Sequence, residues 1–211
     1  MSSRSVRHVG RLTGLILVCM FGAPAPLAWG AFHIWQAKEI FSNSDGSVQF
    51  IEMFDNTTGE NFVTGYSITA NSNGVIKTFT FPSDLVGETA NHHLLIASTG
   101  FGSLPGGVTP DFTFAQGGAT LPFFNPNATN ITISFNGSGD SISFLGASLP
   151  KNGINSLTDT NLYGQQNLVS GTNSPTNLGG SSGSVNLSPE PGAIAILAVP
   201  LFNLLRRRRR R

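Results

Sequence analysis

The chain has 211 residues, 39% of them hydrophobic, and its 12 basic and 11 acidic side chains give a formal net charge of +1. That balance hides an asymmetry, because all nine arginines lie within the first 11 and the last six residues. Residues 31–188 contain three lysines and ten acidic residues, a formal net charge of −7, and no cysteine. This composition excludes the cationic surface that nucleic-acid binding requires, and it excludes disulfides, thiol nucleophiles and cysteine metal sites from that segment.

The first 30 residues have the pattern of a secretory signal peptide. Three arginines precede an apolar stretch from Leu12 to Phe21. Small residues at Ala28 and Gly30 then predict cleavage between Gly30 and Ala31. A lipoprotein alternative at Cys19 lacks the small residue expected just before a lipidated cysteine. We therefore predict export, with residues 1–30 removed.

Residues 31–150 read as an all-β domain. Short alternating or β-branched runs separated by Gly, Asn, Asp, Ser and Pro predict seven strands: Phe32–Ile40, Val48–Phe54, Phe62–Thr69, Val75–Phe81, His93–Ser98, Asn130–Phe135 and Ser141–Leu145. Strands at roughly ten-residue spacing favour an antiparallel β-sandwich. The fourteen phenylalanines of this segment are the natural filling of its core.

One predicted strand places a carboxylate between aromatic side chains. Alternation along Val48–Phe54 puts Phe50, Glu52 and Phe54 on one side of the sheet. If that side is buried, Glu52 must be paired or lie near the edge of the sheet, since an unpaired buried carboxylate costs several kcal/mol.

Residues 151–188 differ in composition. From Tyr163 to Leu187 the sequence is dominated by Gly, Ser, Asn, Gln and Thr, which predicts a flexible linker. Such a linker would typically span about 25–30 Å. It would hold the folded domain clear of a membrane to which the following segment is attached.

Residues 189–211 combine three features in order: the tripeptide Pro189, Glu190 and Pro191, an apolar run from Gly192 to Leu205, and a block of arginines. The block comprises Arg206, Arg207, Arg208, Arg209, Arg210 and Arg211. As a helix the apolar run would be about 21 Å long, short of the roughly 30 Å apolar thickness of a bilayer. Because arginines resist crossing a membrane, the block predicts a stop-transfer signal on the cytoplasmic side of a temporary anchor.

This tail resembles the PEP-CTERM sorting signal of exported proteins of Gram-negative bacteria. The resemblance implies processing at Pro189-Glu190-Pro191 by exosortase, an integral enzyme of the inner membrane. The product would then pass to the cell surface or the extracellular matrix, in association with exopolysaccharide. An ordinary C-terminal membrane anchor is the alternative.

A second resemblance covers residues 32–147. The segments that carry it are Phe50–Asn56, Gly65–Ile68, Phe81–Pro82, His93–Ala97 and Gly139–Phe144, which are similar to the strands of the lamin-tail family. Residues 101–130 read as an insertion outside that pattern. The resemblance implies an immunoglobulin-like antiparallel β-sandwich used as an extracellular interaction module.

Candidate metal ligands are few. Neighbouring residues on a strand point to opposite faces, so His92 and His93 cannot chelate one ion together. The segment from Phe41 to Glu52 fits part of a calcium-loop template, yet its first position cannot ligate and a hairpin turn explains it better. A set that could meet at one end of the sandwich and bind calcium weakly comprises Asp55, Asn56, Glu60 and Asp140. We predict no resident metal or cofactor.

Catalytic motifs are also lacking in the sequence. It has no predicted strand-turn-helix that could display a nucleophile elbow, and no close carboxylate pair in a cleft pattern. Trp35, Tyr66 and Tyr163 could form an aromatic platform for polysaccharide, but the sequence does not indicate one, and core packing explains Trp35 better. We therefore predict no catalytic residue.

Five Asn-x-Ser/Thr sequons are candidate sugar-attachment sites: Asn56, Asn127, Asn130, Asn136 and Asn186. Our interpretation is a non-enzymatic exported surface or matrix protein whose partners are exosortase, the inner membrane transiently, and exopolysaccharide or surface proteins, with no nucleic acid. The alternatives are a carbohydrate-binding module of the exopolysaccharide matrix and a secreted hydrolase with a divergent site.

Overall fold

The computed structural model describes residues 34–136 and 140–187. They form ten strands: β1 (Gln36–Ser42), β2 (Gln49–Asp55), β3 (Ser67–Ser72), β4 (Val75–Thr80), β5 (His92–Ala97), β6 (Phe112–Thr113), β7 (Asn130–Asn136), β8 (Ser141–Leu145), β9 (Asn155–Asp159) and β10 (Leu168–Thr172). One 3₁₀ turn spans Phe101–Ser103, and the described residues include no α-helix. The predicted all-β class is confirmed for this part of the chain.

The strands make two sheets. Six form one sheet in the order β10-β9-β1-β2-β5-β6, and four form the other in the order β4-β3-β7-β8. Every named pair is antiparallel except β5 with β6. The inner faces of both sheets contribute to one buried cluster, so the arrangement is consistent with the predicted β-sandwich.

The core between the sheets is rich in aromatic side chains. Ile51 and Met53 of β2 meet Ile68 of β3 and Ile133 of β7 there, all fully buried. The buried phenylalanines of the same cluster are Phe79, Phe81, Phe112, Phe114, Phe123, Phe124, Phe135 and Phe144. Four of these lie between residues 101 and 130. The stretch that read as an insertion therefore supplies core, because its phenylalanines fill the space between the sheets.

A β-bulge in β1 decides which of its residues face outward. The pairing of β1 with β2 shifts between Ala37 and Glu39, so that Lys38 is the additional residue. After the bulge the alternation is displaced by one, which turns Ile40 inward and Glu39 and Phe41 outward. The outer face of the six-stranded sheet thereby acquires a carboxylate and a phenylalanine.

The predicted linker over residues 151–188 was wrong. This segment contains β9 and β10, which extend the six-stranded sheet beyond β1, and a C-terminal hairpin that we define as Asn173–Leu187. Leu157 and Val185 are buried at 3% and 0% exposure. The domain therefore extends beyond residue 150. The polar composition of the segment gives no sign of the backbone pairing that fixes it to the rest of the fold.

The expected strands match the structure unevenly. Ser141–Leu145 is β8 as predicted, and the runs that became β2, β4, β5 and β7 agree within one residue at either end. The expected Phe62–Thr69 strand begins only at Ser67, because the preceding residues form turns, with Gly65 at φ 82°. The residues predicted to form the signal peptide and its cleavage site, including Gly30 and Ala31, lie outside the described residues. So do the Pro189, Glu190 and Pro191 motif, the apolar run and the arginine block.

Candidate functional site: the outer faces of the two sheets

Two outer faces remain once the sandwich core is formed. We call the outer face of the six-stranded sheet the covered face, because the C-terminal hairpin and the loop around residues 101–108 pack on it. We call the outer face of the four-stranded sheet the open face. The two faces differ in the charge and polarity of their side chains.

Buried carboxylates mark the covered face. Glu39 of β1 and Glu52 of β2 are paired across the strands and are exposed by 0% and 1%. Glu52 Oε1 lies 2.7 Å from Nδ1 of His93 on β5, which stands diagonally across from it, opposite Phe54. Asp111, just before β6, accepts the backbone N–H of Leu95 at 2.8 Å. Glu52 is thus buried and paired, which is one of the two arrangements expected for it if the Phe50 and Phe54 side were buried.

The hairpin binds these carboxylates through alternate backbone N–H groups. Ser174 N–H donates to Glu39 Oε1 at 2.9 Å. Thr176 N–H donates to Glu52 Oε2 at 2.6 Å, and Leu178 N–H donates to Asp111 Oδ2 at 3.0 Å. Residues two apart on an extended chain point the same way, so one arm of the hairpin satisfies three acidic residues. Buried carboxylates are tolerated here because each is hydrogen-bonded.

The returning arm covers apolar surface. Val185 is fully buried in a cluster with Phe41, Phe50, Leu95 and Phe101. Its backbone N–H donates to Asn173 Oδ1 at 2.7 Å, which fastens the two arms together. Removing the hairpin would expose the aromatic end of the covered face to water, so the hairpin completes the domain.

Close contact at Gly106 holds the same arm. Ser184 N–H donates to the Gly106 carbonyl at 3.0 Å. Gly106 has φ 74°, and a Cβ there would lie 2.0 Å from the Ser184 carbonyl oxygen. Glycine is required at this position both for its backbone conformation and for the approach of the hairpin.

Burial shifts the proton affinity of the carboxylates on the covered face. It raises the pKa of Glu39, an effect that hydrogen bonds from Ser156 and Ser174 partly oppose and that the neighbouring Glu52 charge increases. Burial also raises the pKa of Asp111, against the hydrogen bonds from Leu95 and Leu178. In both cases the loss of surrounding water makes the charged form of the carboxyl group less favourable than it is on an exposed side chain.

Uncharged side chains cover the open face, and all but two of them are polar. Its residues are Ser67, Thr69 and Asn71 of β3, Ile76, Thr78 and Thr80 of β4, Asn130, Thr132, Ser134 and Asn136 of β7, and Ser141, Ser143 and Leu145 of β8. Each is exposed or half-buried, and none carries a charge. Along every strand they alternate with core residues such as Ile68, Ile133 and Ile142. No described segment packs over this face in the manner of the hairpin on the covered face.

The candidate calcium set is placed at one end of the sandwich, near Tyr163. Burial raises the pKa of the Tyr163 phenol, and the charges of Asp55, Asp140 and Glu60 raise it further. Asp140 Oδ2 accepts the Ala37 N–H at 3.3 Å, whereas Asp55 Oδ2 is buried without a hydrogen-bond partner in the structure. Asn56 is exposed, and its N–H donates to the Tyr163 hydroxyl at 3.0 Å. Within residues 34–136 and 140–187, no three His, Cys, Asp or Glu side chains are grouped to hold a metal ion.

The remaining metal candidates are the histidine pair and the turn between β1 and β2, and their side chains make hydrogen bonds within the protein. His92 Nδ1 lies 2.8 Å from the Ala90 carbonyl oxygen, whereas His93 Nδ1 contacts Glu52. The two rings therefore have different partners. Between β1 and β2 the chain turns through Asn43 and Asp45, and Asp45 Oδ1 accepts the Ser47 N–H at 2.9 Å. The partial calcium-loop template is therefore a hairpin turn, as predicted.

Trp35 lies in the core, fully buried, with Nε1–H donating to the Glu60 carbonyl at 2.9 Å. Tyr66 is partly buried against the core. The sequon residues Asn56, Asn127, Asn130, Asn136 and Asn186 are all exposed. Two of them, Asn130 and Asn136, lie at opposite ends of β7 on the open face.

The sequence analysis predicted neither the hairpin that covers one outer face nor the uncharged surface of the other. The hairpin is joined to acidic residues more than 60 positions away in the chain, and no local pattern reports that pairing. The open face was detectable in principle, because the outward positions of four strands are all Ser, Thr, Asn or aliphatic.

Comparisons of the chain with protein-family models, with curated proteins and with solved structures found no match. In the part of the chain that the structure describes, no helix is long and apolar enough to cross a membrane.

Proposed function

We propose that this chain is an exported surface or extracellular-matrix protein that acts by binding and is not an enzyme. The observation that carries the proposal is the contrast between the two outer faces. The covered face is packed against the C-terminal hairpin and the loop around residues 101–108, whereas the open face presents thirteen uncharged side chains to solvent. A sandwich with one such face is suited to contact a large partner. The segments of the chain before and after the sandwich have the sequence patterns expected for export.

The proposed fold family is an immunoglobulin-like, lamin-tail-like sandwich. The segments that suggested it occupy β2, the turn into β3, β5 and β8. β2 and β5 are neighbours in the six-stranded sheet, while β3 and β8 belong to the other sheet. Their distribution over two facing sheets supports the proposal.

Sorting by exosortase is the second part of the proposal. The hairpin ends at Leu187, so only Ser188 separates the folded domain from the Pro189, Glu190 and Pro191 motif. The expected 25–30 Å spacer is therefore not available. While the apolar run holds the chain in the inner membrane, the domain would lie next to the membrane surface.

Glu190→Ala tests the sorting proposal in a host that has the enzyme. We expect export across the inner membrane to continue and processing to stop, so that uncleaved protein accumulates in the membrane fraction. Replacement of Arg206–Arg211 by serine should weaken retention and release uncleaved protein to the periplasm. Cleavage of the Glu190→Ala protein at the wild-type rate would contradict the exosortase reading and leave a plain membrane anchor.

The alternative function is a carbohydrate-binding module of the exopolysaccharide matrix. Burial of Trp35 removes the aromatic platform first considered for it. The hydroxyl and amide groups of the open face favour the alternative on different grounds, because sugars are recognised by such groups as well as by aromatic rings.

A further inference from the structure

The open face has an ordered arrangement of hydroxyl groups. Strand register brings Thr78, Thr69, Ser134 and Ser141 into one row across all four strands. At about 4.8 Å between strands, the row is about 14 Å long. Neighbouring rows lie about 7 Å apart along the strands. The face therefore offers repeated hydroxyl groups at intervals comparable to the size of a sugar ring.

The next row combines polar and apolar groups. Ile76, Asn71, Thr132 and Ser143 follow one another across the sheet, and the hydroxyl oxygens of Thr132 and Ser143 lie 2.9 Å apart. Ile76 is 62% exposed at one lateral edge, and Leu145 is 53% exposed at the other. Aliphatic side chains at the two edges suit the C–H faces of pyranose rings, and the hydroxyls between them can donate or accept hydrogen bonds.

Charge restricts the class of ligand. None of the thirteen side chains is ionisable, and residues 31–188 carry a formal charge of −7. An anionic polymer would be repelled by the domain and would find no cation on this face. A neutral ligand avoids that repulsion and requires no buried charge.

The β8 edge of this sheet is already occupied. Gln166 Oε1 accepts the Ser143 N–H at 2.9 Å, and Gln166 Nε2 donates to the Ser143 carbonyl at 2.7 Å. These bonds satisfy the backbone N–H and carbonyl of Ser143, the middle residue of β8, which would otherwise be free to pair with another strand. The face itself, rather than addition of a strand at this edge, is therefore the accessible surface.

We propose that the open face binds a neutral polysaccharide, with the hydroxyl rows on β3, β4, β7 and β8 contacting sugar hydroxyls and Ile76 and Leu145 contacting ring C–H groups. The inference deepens the proposed function, since it names the partner of the exported interaction module. Because no charge takes part, the binding should be insensitive to ionic strength.

The test measures binding of the full-length protein in detergent to three glycans: insoluble cellulose, soluble mixed-linkage β-glucan and anionic alginate. We expect saturable binding to at least one neutral glucan and none to alginate, unchanged between about 50 and 500 mM salt. Binding to alginate alone, or to none of the three, would overturn the proposal.

Thr78→Glu and Ser134→Lys place opposite charges on the face, and Val86→Glu is the matched control at a loop residue that is 92% exposed. Each face variant should weaken glucan binding by about ten-fold or more, because the introduced charge must lose water on contact. The control should bind like the unchanged protein. Wild-type affinity in both face variants would place the sugar elsewhere and refute the proposal.

Two other occupants of the face give different results. If the face joins two copies of this chain, sedimentation will show concentration-dependent association that Thr78→Glu abolishes. If sugars are attached at Asn130 and Asn136, mass spectrometry of the exported protein will detect them. Either result would overturn the proposal. Failure of export would instead contradict the proposed function and leave the binding measurements valid.

Discussion

The outer face of the six-stranded sheet carries Glu39, Glu52 and Phe50 beneath the C-terminal hairpin, whereas the outer face of the four-stranded sheet carries hydroxyls and amides in contact with solvent. Apolar and ionisable groups on the first face require cover and hydrogen-bond donors, and the hairpin provides both. Neutral polar groups on the second face are stable in water without either. The comparison separates a face that stabilises the domain from a face that is free for a partner.

Hairpin removal should have the largest effect. A chain that ends at Thr172 loses burial of Val185 and exposes Phe41, Phe50 and Phe101. We expect a loss of about 5 kcal/mol or more, because each large buried apolar side chain contributes about 1.5–3 kcal/mol and whole domains have only about 5–15 kcal/mol. Urea unfolding measures it. The matched control ends at Ser188 and lacks the tail alone. Equal unfolding midpoints for the two chains would show that the hairpin is dispensable.

Loss of one carboxylate beneath the hairpin should have a smaller effect. Glu52→Gln removes the carboxylate that faces His93. Glutamine has one acceptor oxygen instead of two, so its NH₂ group must face either His93 Nδ1 or the Thr176 N–H and cannot accept a hydrogen bond there. We expect destabilisation of about 1–2 kcal/mol. Glu60→Gln, at a half-buried loop residue, serves as the comparison and should change stability by less than about 0.5 kcal/mol. Similar losses in the two variants would contradict a special role for Glu52.

Stability should also depend on pH, and burial raises the pKa of Asp55 and Asp140 in the same direction as that of the carboxyls on the covered face. Burial raises the pKa of Glu39 and Asp111 above their ordinary values of 4.5 and 3.8. The folded protein then binds more protons than the unfolded chain in the window above those values, so stability falls as pH rises through it. The free energy of unfolding should accordingly be higher near pH 5 than near pH 8.

Glucan binding provides the control for that experiment. No group on the open face titrates, so affinity should stay constant over the same pH range while the protein is folded. A free energy of unfolding that rises with pH would show that the buried carboxylates are stabilised in their charged form.

Substitution on the open face should have the smallest effect on stability. Thr78 is exposed on β4 and contacts no buried carboxylate. We expect Thr78→Lys to change the free energy of unfolding by about 0.5 kcal/mol or less, as is usual for surface positions. Thermal unfolding of the two proteins side by side measures the difference. A loss as large as that of Glu52→Gln would mean that the open face also has a structural role.

Strands with a strong local residue pattern were predicted from the sequence, and strands held mainly by distant backbone pairing were not. β8 has strict alternation of exposed serines and buried Ile142 and Phe144, so its bounds were predicted correctly. β9 and β10 have only Leu157 as a fully buried apolar residue, and their Asn, Ser and Thr content is typical of linkers. Backbone pairing to β1 overrides that composition, and no residue pattern within the segment signals it.

The candidate site shows the same limit. The two phenylalanine neighbours of Glu52 predicted that, on a buried side, it would be paired or lie near a sheet edge, since the physical cost of an unpaired buried carboxylate is general. Its partners were not predictable, because His93 and Thr176 are 41 and 124 residues away in the chain. The outward orientation of Glu39 depends on a β-bulge at Lys38, which simple alternation does not predict.

Thiol labelling tests the contrast between the faces most directly. In a full-length chain carrying Cys19→Ser, a single cysteine replaces either Thr78 on the open face or Val185 on the buried side of the hairpin. We predict that Thr78→Cys reacts with a soluble maleimide at the rate of a free thiol. Val185→Cys should react at least about one hundred times more slowly, since labelling there requires local opening of the hairpin. Equal rates at the two positions would contradict the account.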